Sequence, residues 1–220
     1  MPRADMQRLR IRFGRGQEVK FISHLDIMRL WQRALNRAGI ALAYSEGFSP
    51  HPRMALAAPL AVGVTSEAEL MDIVLARWVS PHLFTAAVGQ QLPPGMTMLQ
   101  VFPIGLNVPS LQSLVSQAEY MVELETEKDQ PEIESALASL LASEHLPWQH
   151  QRDTGPRKYD LRALVDDLWL AGWRRGGCAI GMRLRCDSGG SGRPEQVVAA
   201  LGFNEPPQSL HRTRLILRMG

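Results

Sequence analysis

The stretch RLRIRFGRGQEVKFISHLDIMRLWQRALNRA, residues 8–38, decides the start of the fold. In its first part, Leu9, Ile11 and Phe13 alternate with arginines, which is the two-residue period of a strand. One face of that strand is apolar and the other is basic. The sequence therefore predicts a strand over 8–13.

The second part of this stretch has the pattern of an amphipathic helix. Ser23, followed three residues later by Asp26, is a helix-capping signal. Apolar residues then recur at helical spacing, and Gly39 is a typical helix stop. We predict a helix over 24–38.

Along the rest of the sequence, strand and helix patterns repeat in a regular order. The first half continues with predicted strands over 54–60 and 68–76, a helix over 80–91 and a strand over 96–102. The second half repeats this order over 119–125, 130–143, 146–152, 179–186, from Pro194 and over 211–218, with a helical insertion over 161–173. The predicted fold class is α+β, with tandem ferredoxin-like (β-α-β-β-α-β) units and antiparallel sheets. The predicted domains are 1–106 and 118–220, joined by a linker over 107–117.

Composition and charge exclude several classes of protein. The chain has 220 residues, of which 45% are hydrophobic and 21% charged, so disordered, collagen-like and disulfide-scaffold classes are excluded. A net charge of +2 excludes nucleic-acid binding by bulk charge. Residues 1–110 carry 11 basic and 7 acidic groups, whereas residues 111–220 carry 13 and 15. The first half is therefore the better candidate for an anionic ligand.

The number and spacing of the cysteines limit which disulfides and metal clusters the chain can form. Cys178 and Cys186 lie eight residues apart in a predicted strand, which separates them by roughly 20 Å or more and prevents a disulfide. Two cysteines also cannot supply the ligands of an iron–sulfur cluster. No signal peptide, membrane span, metal motif or nucleotide motif is found in the sequence. We expect a cytoplasmic protein with no cofactor, no metal and no membrane contact.

Three arginines of the first predicted helix form a candidate phosphate-binding stripe. Arg29, Arg33 and Arg37 are spaced by four residues and share one helix face. Guanidinium groups bind phosphate oxygens in pairs, so such a stripe can follow a nucleic-acid backbone. A solvated helix face explains the same pattern.

Lys20 and His24 lie at the entrance of this helix, where free backbone N–H groups also favour an anion. His24 is a candidate general base, a phosphate donor or simply a polar residue of the first turn. The choice among these roles stays open in the sequence.

The segment YSEGFSPHPR, residues 44–53, is predicted to be an ordered loop. Tyr44 and Phe48 are candidates for stacking on bases, and His51 and Arg53 for contacting phosphate. His51 is also a candidate general base. Packing of the loop on its own unit is the alternative interpretation of these residues.

Two further segments lie in the second half. Residues 152–162 place Arg157 and Lys158 beside Tyr159, which suits RNA or a protein partner. Residues 188–195, SGGSGRPE, are glycine-rich but lack both nucleotide-binding spacings, so we predict a strand-to-helix turn there.

The run KFISHLDIMRLWQRALNRAGIALAYSEGFSPHPRMALAAPLAVGVTSEAEL, from Lys20 to Leu70, closely resembles the radical SAM-linked bacterial protein family. The later pieces YDLR, GRPEQVVAALG and RTRL fit the same family. The resemblance implies a chain that works beside a radical SAM enzyme. Because this sequence has no C-x₃-C-x₂-C, it resembles the separate linked protein and not the enzyme itself. The predicted arrangement of two ferredoxin-like units is also similar, in fold only, to that of CRISPR repeat-processing endoribonucleases.

Three functions follow as hypotheses. The first is a non-catalytic accessory protein that binds tRNA or ribosomal RNA and presents it to a radical SAM partner. The second is a metal-independent endoribonuclease that uses His24 or His51 as general base. The third is a protein–protein adaptor without nucleic acid.

Overall fold

In the computed structural model, which describes residues 5–152 and 155–218, the chain divides between Val115 and Ser116 into two compact units. Each unit contains an antiparallel sheet together with helices. The predicted α+β fold class is confirmed.

The sheet of the first unit is built around its first strand. Strand β1 (Gln7–Arg15) lies between β3 (Thr65–Leu75) and β4 (Met96–Ile104), and β2 (Met54–Leu56) pairs with the far edge of β3. All of these pairings are antiparallel. The resulting order β4-β1-β3-β2, with its two helices, is that of a ferredoxin-like unit.

Two helices of this unit begin at serine caps. Helix α1 (His24–Arg37) starts after Ser23, whose hydroxyl accepts from the Asp26 amide at 3.2 Å. Helix α2 (Pro81–Gly89) starts after Ser80, with proline in its first turn. The capping signals read from the sequence therefore mark true helix starts.

The apolar face of β1 forms the core of the first unit. Leu9, Ile11 and Phe13 are fully buried, and the rings of Phe13 and Trp31 meet edge to face with their centroids 5.1 Å apart. Most of the rest of this core comes from α1, β3 and α2, and includes Ile27, Leu35, Met71, Ile73, Leu75, Phe84 and Val88. Apolar periodicity therefore predicted the buried face correctly.

The basic face of β1 serves the fold. Arg10 binds Asp72 with two hydrogen bonds, of 2.7 and 2.9 Å, and Arg8 binds the same carboxylate at 2.6 Å. Arg12 donates to the carbonyl of Glu67 at 3.2 Å. Register explains the pairing, because Arg10 lies directly opposite Asp72 in the ladder.

The second unit repeats the plan, with one strand of its sheet different from the prediction. Its sheet consists of β5 (Val115–Glu125), β8 (Val165–Arg174), β9 (Gly177–Asp187), β10 (Gly190–Ser191) and β11 (Ser209–Leu217). Its helices are α4 (Gln130–Ala142) and α5 (Pro194–Ala200), and a short helix, α3 (Leu111–Leu114), precedes β5. Strand β5 lies between β9 and β11, and β9 also pairs with β8 and β10. The ferredoxin-like order is thus β5-α4-β8-β9-α5-β11.

The predicted helical insertion over 161–173 is wrong. A single 3-10 turn, Arg162–Leu164, leads into β8, which pairs with β9. Two register shifts interrupt that pairing, so Val165 and Leu168 are both buried although they are three residues apart. Such spacing imitates a helix in the sequence.

A cross-strand contact fixes β8 as a strand. Trp169 lies opposite Gly181, and a Cβ atom added to that glycine would come within 1.9 Å of the indole. The indole therefore occupies the space that any side chain at position 181 would need.

The strand predicted over 146–152 forms, but outside the main sheet. Strand β6 (Pro147–Arg152) pairs with β7 (Gly155–Asp160) as a separate two-stranded hairpin between α4 and β8. Strand β8 takes the place in the sheet that was predicted for this segment. Cys178 and Cys186 both lie in β9 as buried cysteines that form no disulfide, as predicted.

The buried Asp72 cluster supports a stability test. In Asp72→Asn two guanidinium groups lose their carboxylate inside the protein, so we expect the free energy of unfolding to fall by about 3–5 kcal/mol. Urea denaturation measures the loss. The control is Asp26→Asn, which breaks an exposed, solvent-screened pair with Arg29 and should leave the free energy of unfolding nearly unchanged. Equal losses in both variants would contradict a structural role for the Asp72 cluster.

Candidate nucleic-acid interface

The arginines of α1 differ in how they are held. Arg29 donates to Asp26 at 2.9 Å, and both side chains are exposed. Arg37 donates to the backbone carbonyl of Gln91 at 2.7 Å. Arg33 is exposed and has no hydrogen bond or ion pair within residues 5–152 and 155–218. Of the predicted stripe, Arg33 keeps its whole guanidinium group available to a ligand.

The entrance of α1 presents a cation and an apolar surface together. The Lys20 ammonium lies 5.0 Å from the centroid of the Phe21 ring, and Phe21 is itself 72% exposed. Leu25 and Val62 are also more than half exposed. Sequence reasoning did not select these apolar residues, because an exposed phenylalanine next to a helix cap has the same pattern as a core residue.

The two candidate general bases lack an orienting carboxylate among the described residues. His24 is the first residue of α1, and its Nδ1 atom is buried without a hydrogen-bond partner there. His51 is exposed, and its backbone amide donates to the Ser45 hydroxyl at 3.0 Å. Neither imidazole is therefore arranged as a base held by a third group.

Loop 44–53 is closed by its own backbone. Tyr44 bridges Pro52, and the Ser45 amide donates to the His51 carbonyl at 2.9 Å. At the tip, Phe48 is fully exposed, and Tyr44 is about half exposed at 47%. The structure thus holds Tyr44, Phe48, His51 and Arg53 in one loop, but no hydrogen bond or ring contact in the described chain joins that loop to Lys20 or His24.

A cavity in the second unit is lined by two segments, residues 150–164 and 185–196, that lie apart in the sequence. Its volume is about 210 Å³, and it lies between the β6–β7 hairpin and the turn that leads from β9 to α5. The lining includes His150, Arg157, Tyr159, Arg185, Ser191 and Arg193. Lys158 is not part of it.

Strand alternation explains which hairpin residues reach the cavity. His150 lies opposite Arg157, and Trp148 lies opposite Tyr159, so these four share one face of the hairpin. Lys158 lies opposite Gln149 on the other face. Gly155 and Pro156 signal a turn in the sequence, and a hairpin centred there would have predicted this face.

Polar contacts hold the hairpin to the rest of the unit. The Tyr159 hydroxyl donates to the side-chain oxygen of Gln196 in α5. Arg193 donates to Nε2 of His150 at 3.3 Å, and the Arg157 guanidinium lies 5.8 Å from the centroid of the Tyr159 ring. The cavity walls are therefore tied together across both segments.

The YDLR motif anchors the base of the hairpin. Asp160 accepts from the amides of Leu146 and Arg162, at 2.8 and 3.0 Å, and from Nδ1 of His145 at 2.8 Å. The His145 hydrogen bond, followed by that of the Leu146 amide, lowers the pKa of Asp160. The Arg162 guanidinium donates to the carbonyls of Leu141 and Val165. The motif is therefore accounted for by local structure.

The glycine-rich segment connects β9 to α5, as predicted, but it contains the short strand β10. It packs closely at Gly192, where an added Cβ atom would lie 2.9 Å from the Leu164 carbonyl oxygen and from Cβ of Leu184. One at Gly190 would lie 2.7 Å from Cδ2 of Leu164. Glycine here lets the turn form one wall of the cavity.

The lowered pKa of Asp160 gives a test of the hairpin anchor. Because the folded-state pKa is below its ordinary value, the anchor stabilises the fold above about pH 4 and is lost as pH falls through the folded value. In His145→Ala the largest cause of the shift is removed, so the pKa of Asp160 should rise toward its ordinary value. NMR titration of the side-chain carboxyl carbons measures this change.

The same titration contains its own control. The pKa of Asp26 is lowered by hydrogen bonds from Ser23 and Arg29, so it should not move in His145→Ala. An unchanged pKa of Asp160 in this variant would contradict the proposed anchor.

Within the described chain, no helix is long and apolar enough to cross a membrane. Among the same residues, no group of three or more His, Cys, Asp or Glu side chains is placed to hold a metal ion.

Comparisons with solved structures reveal similar folds at low sequence identity. A crystal structure of a Cbf5-Nop10-Gar1 complex matches with a TM-score of 0.52 and 10% identity, over 94% of this chain and 48% of that chain. The structure of an H/ACA RNP bound to a substrate RNA containing 2'-deoxyuridine matches with a TM-score of 0.49 and 11% identity, over 94% and 47%. This chain thus spans about half the length of these two matched chains, and the likeness concerns the fold alone.

No curated protein matches the chain. A family model does, and it covers residues 8–194. Because the match extends over most of the sequence, the chain belongs to the family described as an uncharacterized protein conserved in bacteria, DUF2344.

Proposed function

We propose that this chain binds single-stranded RNA through loop 44–53 and the cations of its first unit. In this proposal Tyr44 and Phe48 stack on bases. Phosphates are bound by Lys20, Arg29, Arg33 and Arg53. The protein acts as a non-catalytic accessory that presents tRNA or ribosomal RNA to a partner radical SAM enzyme.

The observation that carries the proposal is the placement of Phe48. A phenylalanine ring with no cover at the tip of a loop leaves a large apolar surface in water. The backbone bonds at the base of the loop keep its two ends together, so ordering the tip on a ligand costs less conformational entropy. A base stacked on such a ring is stabilised by about 1–3 kcal/mol.

The charges of the first unit support the same ligand. Arg33 has no internal partner among the described residues, and Arg53 makes only a 3.7 Å contact with the sulfur of Met6. Phosphate groups can therefore compete for these cations without breaking a strong internal ion pair. Exposed aromatics combined with free cations are the usual means of binding single strands.

The fold likeness is compatible with this proposal. The similar solved structures are a Cbf5-Nop10-Gar1 complex and an H/ACA RNP bound to a substrate RNA. At 10–11% identity the likeness concerns the fold, so RNA binding by this chain depends on its own loop and cations.

The radical SAM partner is proposed from the sequence. The residues from Lys20 to Leu70 resemble the linked family, and the two cysteines of the chain are too few to ligate a cluster. Both thiols are buried, and burial raises the pKa of the Cys178 thiol. The radical chemistry is therefore assigned to the partner.

Phe48→Ala tests the stacking surface. Fluorescence anisotropy with a single-stranded RNA of about 15 nucleotides, at about 50 mM salt, should reveal roughly five- to hundredfold weaker binding. The matched control is Trp78→Ala, which removes another exposed aromatic of the first unit outside the loop and should leave affinity unchanged. Equal affinity of Phe48→Ala and the unmodified protein would contradict the proposal.

The electrostatic part is tested by salt dependence. Arg33→Gln should reduce the magnitude of the slope of log affinity against log salt by about 0.7, because one phosphate contact with a single strand is lost. Arg77→Gln, at an exposed residue outside loop 44–53 and α1, is the control. RNA that is shortened in the presence of EDTA, and left intact by His24→Ala or His51→Ala, would replace this proposal with an endoribonuclease.

The partner is tested separately. We expect the tagged chain to retain a radical SAM enzyme from lysate and to carry RNA when it is isolated without nuclease. If the enzyme is retained but RNA is absent from untreated samples, the chain is an adaptor.

A further inference from the structure

The cavity between the β6–β7 hairpin and the turn from β9 to α5 has the chemistry of a site for a doubly charged oxyanion. We propose that it binds a phosphomonoester group, carried either by the end of an RNA strand or by a free mononucleotide. This site lies wholly within the second unit. The proposal does not depend on RNA binding by loop 44–53.

The balance of charge in the cavity is positive. Arg157 and Arg193 line it, and neither has a carboxylate within ion-pair distance in the part of the chain that is described. The guanidinium group of Arg185 is also at the wall, where its Nε donates to Asp187 at 3.0 Å. Asp187 in turn accepts from Arg218 at 2.9 Å, so two arginines share this one carboxylate.

The carboxylate that lines the cavity is already engaged. One oxygen of Asp160 accepts from two backbone amides and the other accepts from His145. These bonds favour the ionised form, so Asp160 adds one negative charge against the three arginines of the wall. Its ion pair is with His145 and not with a cavity arginine. Arg157 and Arg193 therefore have no ion-paired carboxylate in the described chain, and an entering anion would supply their counter-ion.

The donors in the wall suit a group with several oxygens. Guanidinium groups present paired N–H donors in a fixed plane, which match phosphate oxygens better than a point charge does. Ser191 adds a hydroxyl at the wall. The contact between Arg193 and His150 holds that guanidinium beside the cavity before any ligand arrives.

The size of the cavity favours more than a small ion. Its volume of about 210 Å³ is several times the volume of about 30 Å³ that one water molecule occupies in the liquid. There is room for a phosphate and part of the group that bears it. The Tyr159 ring, fixed by its bond to Gln196, provides an apolar surface for that group.

Isothermal titration of the full chain tests the site with four probes. These are inorganic phosphate, a nucleoside, its 5'-monophosphate, and one short RNA prepared with and without a 5'-phosphate. We expect the monophosphate to bind at least about tenfold more tightly than the nucleoside. If the 5'-phosphate strengthens RNA binding and the free monophosphate competes for the site, an RNA end is the source. If the monophosphate binds but the 5'-phosphate changes nothing, a free mononucleotide is the source.

Variants locate the binding on the cavity. Arg157→Gln and Arg193→Gln should each weaken monophosphate binding by about tenfold or more. Lys158→Gln removes the same charge from the neighbouring residue, on the opposite face of β7, and should have little effect. Thermal denaturation of each variant verifies that it folds, and Arg193→Lys, which keeps the charge but not the paired donors, should fall between.

The proposal fails if nucleoside and monophosphate bind equally, or if Lys158→Gln weakens binding as much as Arg157→Gln. Phe48→Ala should leave monophosphate affinity unchanged. If Phe48→Ala loses RNA binding but keeps monophosphate binding, the two sites are independent. Absence of RNA binding then contradicts only the RNA surface, and absence of monophosphate binding contradicts only this cavity.

Discussion

The carboxylate of Asp72, shared by Arg8 and Arg10, is the interaction on which the first unit depends. It lies inside the sheet, opposite Arg10 in the ladder between β1 and β3. A shift of one residue would move these two arginines away from Asp72 and would turn Leu9, Ile11 and Phe13 out of the core. Charge pairing on one face and burial on the other thus select the same register. The arginines of β1 are consequently used by the fold.

This pairing explains where sequence reasoning succeeded and where it failed. The spacing of apolar residues and the signals that start a helix depend on residues close in sequence. The apolar face of β1 and the starts of α1 and α2 were therefore predictable. The partner of Arg10 lies 62 residues away, and the register of β1 against β3 places it directly opposite. The same holds for β8, whose interrupted pairing with β9 gives apolar residues a helical spacing. Long-range pairing was the missing information in both cases.

The candidate sites divide in the same way. Tyr44, Phe48, His51 and Arg53 were predicted as one loop because they are close in sequence, and the backbone closes that loop on itself. The cavity escaped prediction because its walls come from segments about 30 residues apart, which were interpreted as a basic loop and a simple turn. Tyr159 and Gln196 join those segments through side chains. Local patterns cannot predict such a contact.

Charged side chains whose hydrogen bonds are satisfied inside the protein serve the fold, and those with unused donors are available to a ligand. Arg162 donates to two carbonyls and Asp160 accepts three hydrogen bonds, so the motif that contains them is explained without any ligand. Arg33, Arg157 and Arg193 retain donors that are hydrogen-bonded to no carboxylate in the described chain. Water satisfies these donors in the free protein, and an anion can replace that water at low cost. The charges that matter for binding are therefore those that the fold leaves without a counter-ion, and the first and second units each contain such a set.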